Sequence, residues 1–287
     1  MSASAYHSPA PMTDYFLARQ AILHPDKSLA AYELLYRRAG TGRAAVRDDL
    51  HATACVIAHA SLLGIENVIG TCRAFVNLDA TALMCDFVQF LPRDRVVLEI
   101  LETVRATADV TARITELRRA GYVIALDDVM AYSDDVAKLA ELVDIVKLDI
   151  LATPQSGLPR LCRRFKAAGK KLLAEKVETR DQYLRCIDLG FDYFQGYYFG
   201  MPDVLTGRRP MLPTEATMRL LLQIVKPGSS AADAEHSILR EPGLTATFMQ
   251  LVRDATGIRQ ALLALGRLQT ERWLLALLHA EEVACMR

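Results

Sequence analysis

Several oxygen-bearing residues stand out because each closes a short apolar run: Glu33 in LAAYELLYR, Asn77 after RAFV, Glu99 within VVLEIL, Asp127 and Asp128 after VIAL, and Glu175 after KLLA. Taken singly, an acid in such a place has an ordinary explanation, capping the next helix or facing water. Gathered at one rim, unpaired carboxylates repel one another unless cations sit between them. Oxygen ligands with no His or Cys beside them favour magnesium or manganese, or calcium, over zinc. The adjacent pair Asp127 and Asp128 suits two neighbouring ions, the arrangement that activates water and steadies a leaving oxygen in phosphodiester cleavage. Lys147, which with Asp149 follows DIV, adds a cation. It either orients water or a phosphate, or forms a neutralising Lys–Asp pair, and spacing alone leaves both open.

Such a rim needs strands that end side by side. From Tyr15 to about Pro202, short β-branched or aliphatic runs alternate with segments of helical period: YFLARQAIL, LAAYELLYR, RAFVNLD, RVVLEIL, YVIALDD, DIVKLDI, KLLAEKVE and FDYFQGYYF. Helices are expected near residues 48–63, 110–120, 134–142, 158–168 and 180–189, with Gly121, Gly169 and Gly190 stopping three of them. Strand, helix, strand in repetition implies a parallel sheet covered by helices, because parallel neighbours need crossover connections. An open doubly wound sheet is the alternative, but polar residues at the C-terminal ends of the runs favour a barrel, which gathers them at one mouth. The expected fold is therefore α/β, a TIM-like (β/α) barrel over residues 15–205 followed by a small all-α module. Residues 1–14 read as a flexible start, 206–213 as a Gly/Pro/Arg-rich connector and 214–287 as helices only.

Composition narrows the classes of partner. At 287 residues and 52% hydrophobic there is core material for a barrel plus something smaller. Lysine plus arginine equals aspartate plus glutamate at 34 each, so no global field attracts DNA, RNA or an anionic membrane. The six cysteines are scattered without a CxxC pair and read as reduced thiols. The first residues lack the basic start and apolar core of a secretory signal, and no later run reaches membrane-spanning length. A cytoplasmic protein without a membrane partner is expected.

In order and spacing, the segments Glu33-Leu34-Leu35-Tyr36-Arg37, Val76-Asn77-Leu78-Asp79, Glu99-Ile100-Leu101-Glu102, Asp127-Asp128-Val129, Lys147-Leu148-Asp149, Ala174-Glu175-Lys176-Val177-Glu178 and Gln195-Gly196-Tyr197 resemble the signature of EAL-domain cyclic di-GMP phosphodiesterases. The resemblance implies that Glu33, Asn77, Glu99 and Asp127 hold a first magnesium or manganese ion, and Asp128 with Glu175 a second. It further implies that Lys147 assists the attacking water, Gln195 orients it, Arg37 meets a phosphate of the ligand, and Glu102 braces the loop after the fifth strand. The opening LARQAIL, the variant YELLYR and the helical tail look like the subgroup that joins an EAL domain to an HDOD module, here cut short.

Two departures from the family pattern bear on activity. Active members follow the paired aspartates with a loop of the type FGTGYSS, whereas Val129-Met130-Ala131-Tyr132-Ser133-Asp134-Asp135 has no glycine. AEKVE replaces AEGVE, so Lys176 either swings outward or places its ammonium near the second ion. Asp134 and Asp135 read as caps of the next helix, and Glu178 as a cap near Thr179. Among Tyr193, Phe194, Tyr197, Tyr198 and Phe199, core packing is favoured over a shelf for guanine. Trp273 and its neighbouring leucines form an apolar face that packs internally or receives a protein partner. The expected function is cyclic di-GMP signalling with weak or absent phosphodiesterase activity, the barrel serving as sensor or platform. The alternative is an active metal-dependent phosphodiesterase.

Overall fold

In the computed structural model, which describes residues 12–36, 65–225, 230–252 and 255–282, the strand segments form one nine-stranded sheet. The helix expected at 48–63, and Arg37, lie outside the described residues. Seven strands run parallel in chain order: β2 (Leu29–Tyr36), β3 (Arg73–Leu78), β4 (Val96–Ile100), β5 (Val123–Leu126), β6 (Ile145–Asp149), β7 (Lys171–Glu175) and β8 (Tyr193–Phe194). The first strand, β1 (Met12–Leu23), closes the ring by pairing with both β2 and β8. It pairs antiparallel on both sides, so the sheet is not the purely parallel one that the alternating pattern suggested.

Helices pack outside this eight-stranded barrel: α1 (Ile65–Ile69), α2 (Ala80–Met84), α3 (Ala108–Arg119), α4 (Asp134–Leu142), α5 (Leu158–Ala167) and α6 (Arg180–Asp188). Their starts are fixed by side-chain caps at Thr107, Ser133 and Thr179, the last a full capping box with Gln182. Gly121, Gly169 and Gly190 follow three helix ends with φ of 97°, 73° and 80°, the left-handed turn that glycine supplies without strain. The expected caps shift by a residue or more. Ser133, not Asp134 or Asp135, caps α4, and Thr179, not Glu178, caps α6.

The segment expected to be a connector is instead strand β9 (Asp203–Pro210), antiparallel to the first part of β1 from Arg19↔Asp203 to Met12↔Pro210. Residues 12–14, part of the expected flexible start, already belong to β1, and residues 1–11 lie outside the described residues. An edge strand tolerates Gly207, two arginines and a terminal proline because only one of its sides must be bonded.

Strand periodicity explains where the chemistry sits. Side chains alternate faces, so residues two apart share one. Ile22, Ala31, Phe75, Val97, Ala125, Ile145 and Leu173 form an apolar layer inside the barrel, with Tyr193 packed against it. Two positions further along β2 to β8 stand Glu33, Asn77, Glu99, Asp127, Lys147, Glu175 and Gln195. On the reversed β1 the corresponding step from Ile22 leads to Gln20. Residues of opposite parity, such as Leu34, Val76, Leu98, Ile124, Val146 and Leu172, pack outward among the helices in the main core.

Beyond β9, the described residues form five helices: α7 (Glu215–Val225), α8 (Ala231–Leu239), α9 (Pro242–Leu251), α10 (Ile258–Leu265) and α11 (Arg267–Glu282). They enclose their own core around Trp273, which is 2% exposed and packs on Phe248 at 5.0 Å between ring centroids. Trp273 is thus an internal anchor. This module meets the barrel where Arg272 pairs with Asp86 at 2.8 Å and where Phe90 touches both cores.

Candidate divalent-cation site at the barrel mouth

The polar layer is organised around one amine. Lys147 is fully buried, and its Nζ lies 2.8 Å from Asp127 Oδ1, 2.9 Å from Glu175 Oε1 and 3.9 Å from Glu33 Oε2, with a further bond to Glu99. Burial alone disfavours a charged lysine, but Asp127, Glu175, Glu33 and Glu99 more than offset it and hold the pKa well above the usual range. Two of the acids are disfavoured as anions. Burial and the charge of Asp127 push Glu99 well up, and burial pushes Glu175 up to about 8. Burial acts to raise Asp127 too, yet contact with Lys147 and Glu99 leaves it lowered.

An ammonium has three N–H donors, and four carboxylates surround this one. The shortfall is visible in buried oxygens without a hydrogen-bond partner, Oε2 of Glu99 and Oε2 of Glu175. Buried acceptors of this kind carry a desolvation cost unless a cation meets them. The donor set therefore fits a hard divalent ion held by Glu33, Glu99, Asp127 and Glu175, with Asn77 beside Glu33 at 3.3 Å.

Gln195 Nε2 donates to Glu33 Oε2 at 2.6 Å and to Gln20 Oε1 at 3.1 Å, while its own Oε1 is buried without a hydrogen-bond partner. Gln20 thus belongs to the site, although its role was not anticipated. A lone glutamine in the apolar run YFLARQAIL was the available signal. The turn after Gln195 depends on Gly196, whose φ is 149° and where a Cβ would collide with the backbone of Val177.

A second acidic group lies toward the solvent. Glu102, Asp127 and Asp128 each offer an oxygen, all within 4.8 Å of one another. Lys176 crosses this side, its Nζ 3.3 Å from Asp128 Oδ1 and 2.5 Å from Asp149 Oδ2. Burial acts against the charge of Lys176, but Asp149 and Asp128 raise its pKa overall. Asp149, which burial would raise, is lowered by Lys176 and by the amides of Ala152 and Leu151. Of the two alternatives for Lys176, the outward swing is not adopted.

The glycine-free loop is tied down at several points. Asp135 accepts from the Ala106 amide at 3.0 Å and from Arg105 at 3.1 Å. Tyr132 packs on Phe165 and lies beneath the Arg164 guanidinium. Most of the aromatic group is packing: Phe194, Tyr198 and Phe199 contact Tyr183, whereas Tyr197 is 60% exposed. Tyr197 and Glu178 line, with Lys176 and with Gln20, Glu33, Asp127, Glu175 and Gln195 of the polar layer, a cavity of about 380 Å³.

The EAL-domain family matches residues 47–202. YuxH of Bacillus subtilis, described as uncharacterized, is 30% identical over 272 residues, covering 90% of this chain and 66% of its own length. CdgJ of Vibrio cholerae, named a cyclic di-GMP phosphodiesterase, is 31% identical over 268 residues, covering 88% of this chain and 61% of its own length. The chain thus spans somewhat less than two thirds of these relatives. BlrP1 of Klebsiella pneumoniae, solved as a manganese/cy-diGMP complex at pH 9.0, superposes with a TM-score of 0.53 at 24% identity over 73% of this chain and 64% of that one. An EAL-domain protein of Listeria monocytogenes gives 0.53 at 22% identity over 66% and 88%. At these identities the solved structures bear on fold, and they agree with the barrel described above. With more than half its length matched by the family, the chain belongs to the EAL-domain proteins.

Proposed function

We propose that the chain is a cytoplasmic cyclic di-GMP signalling protein whose barrel mouth binds the dinucleotide together with magnesium or manganese and hydrolyses it slowly or not at all. The observation that carries this reading is the ring of four buried carboxylates around a single ammonium, with buried oxygens of Glu99 and Glu175 unmet and with Glu33, Asp127 and Glu175 lining an open cavity. The name of CdgJ and the ligands of the BlrP1 complex support the choice of nucleotide and of a divalent ion.

Glu33, Asn77, Glu99, Asp127 and Glu175 would hold the ion, which when bound polarises a phosphate oxygen and acidifies water. Lys147 limits repulsion within the layer and keeps Asp127 ionised. Gln195, held by Gln20 and Glu33, offers its free Oε1 to a proton of the attacking water. Arg37 is assigned to a ligand phosphate, and Glu102 to bracing the loop after β5.

Slow turnover follows from the other side of the mouth. Lys176 engages Asp128, and the loop after it is pinned at Tyr132 and Asp135. A misplacement of about an ångström costs on the order of a hundredfold in rate. The helical module, an HDOD-like segment in this reading, recruits a protein partner. The completeness of the polar layer favours a second reading, an active phosphodiesterase. Incubation with cyclic di-GMP and manganese, followed by separation of nucleotides, decides between them. Little or no linear dinucleotide is expected; turnover comparable to active EAL enzymes and lost in Glu33→Ala would establish the second reading.

A further inference from the structure

We propose that the Lys176 ammonium is a built-in cation on the Asp128 and Asp149 side of the mouth, so that this site takes one divalent ion instead of two. The inference rests on the metal-binding reading above and specifies its stoichiometry.

The mouth holds two acidic groups of different status. The inner group, Glu33, Glu99, Asp127 and Glu175, has more carboxylates than Lys147 has donors, and it retains the unmet oxygens of Glu99 and Glu175. The outer pair is already served. Asp149 Oδ1 accepts the Leu151 and Ala152 amides at 2.8 and 2.9 Å, its Oδ2 accepts Lys176, and Asp128 Oδ1 takes the same ammonium at 3.3 Å. The inner group has more carboxylates than its one ammonium can serve, whereas the outer pair is matched by the ammonium it carries.

The backbone shows what that attachment requires. Asp128 and Lys176 have φ of 43° and 57°, left-handed values that residues with a Cβ rarely adopt. Lys176 keeps this conformation while its side chain reaches back over the mouth to both aspartates. A second divalent ion sharing Asp128 with Glu102 and Asp127 has to displace an amine whose tether keeps it at high effective concentration. The substitution replaces charge without replacing Lewis acidity. An ammonium neutralises Asp128 and Asp149, yet it has no coordination position for water or a phosphate oxygen.

The test is manganese binding to the full chain, counted by calorimetry and by electron paramagnetic resonance, in the parent, Lys176→Gly and Lys176→Arg. Glycine accepts the left-handed backbone freely, so the first variant removes the cation without imposing strain. One manganese per chain is expected in the parent and in Lys176→Arg, and two in Lys176→Gly, with the resonance pattern of a coupled ion pair. Two ions in the parent would overturn the proposal while leaving the metal-binding reading intact. A single ion in Lys176→Gly would overturn it equally, because something other than Lys176 would then exclude the second. No ion in any of the three would remove the metal-binding reading, and this inference with it.

Discussion

Lys147 gives the residue scale its clearest consequence. Four acids face it inside the barrel, so Lys147→Met leaves buried charges without a counter-ion, a change that typically costs about 3–5 kcal/mol. Chemical denaturation should show a loss of that order for the metal-free variant and partial recovery when manganese is added. An undiminished midpoint would mean that the acids are neutral without the lysine. Gly196 makes a second case, since φ of 149° and the Val177 backbone both oppose any side chain. Gly196→Ala should lose about 2–4 kcal/mol by the same measurement, strain and overpacking acting together. The ring residues were legible in the sequence because each follows an apolar run by the strand period. Two relations were not legible: the central place of Lys147 among four carboxylates, and the reach of Lys176 to Asp149. Both join residues from different strands, or from a loop and a strand, through side-chain geometry that spacing does not encode.

Among the elements, β1 and β9 separate pattern from fold. Helices α3 to α6 fall close to the expected ranges because caps and glycine stops mark them. The reversed direction of β1 leaves no trace in its hydrophobic run, since alternation reads the same both ways, and Gln20 was therefore not assigned to the layer. β9 escaped because Gly, Arg and Pro signal a loop, whereas an edge strand accepts them. If β9 is the partner of β1 in solution, Thr206→Pro should break that ladder at Phe16. Hydrogen exchange should then accelerate across Met12–Arg19 while β3 to β7 remain protected. Unchanged protection in β1 would show that its amides are held without β9.

At the scale of the whole molecule, barrel and helical module have separate apolar cores that meet through Phe90 and the Arg272–Asp86 pair. Trp273→Ala should cost about 3–5 kcal/mol in the helical core. Melting followed by tryptophan-independent probes should show the helical module unfolding earlier, with manganese binding by the barrel retained. A loss of manganese binding in step with the module would make the two parts a single cooperative unit. Calorimetric titration of cyclic di-GMP with and without manganese reads out whether this mouth binds the dinucleotide through a divalent ion. Saturable binding that requires manganese, and that is lost in a Glu99→Gln, Asp127→Asn double variant that still folds, is expected. No binding in the presence of manganese, or equal binding by that folded double variant, would contradict that expectation.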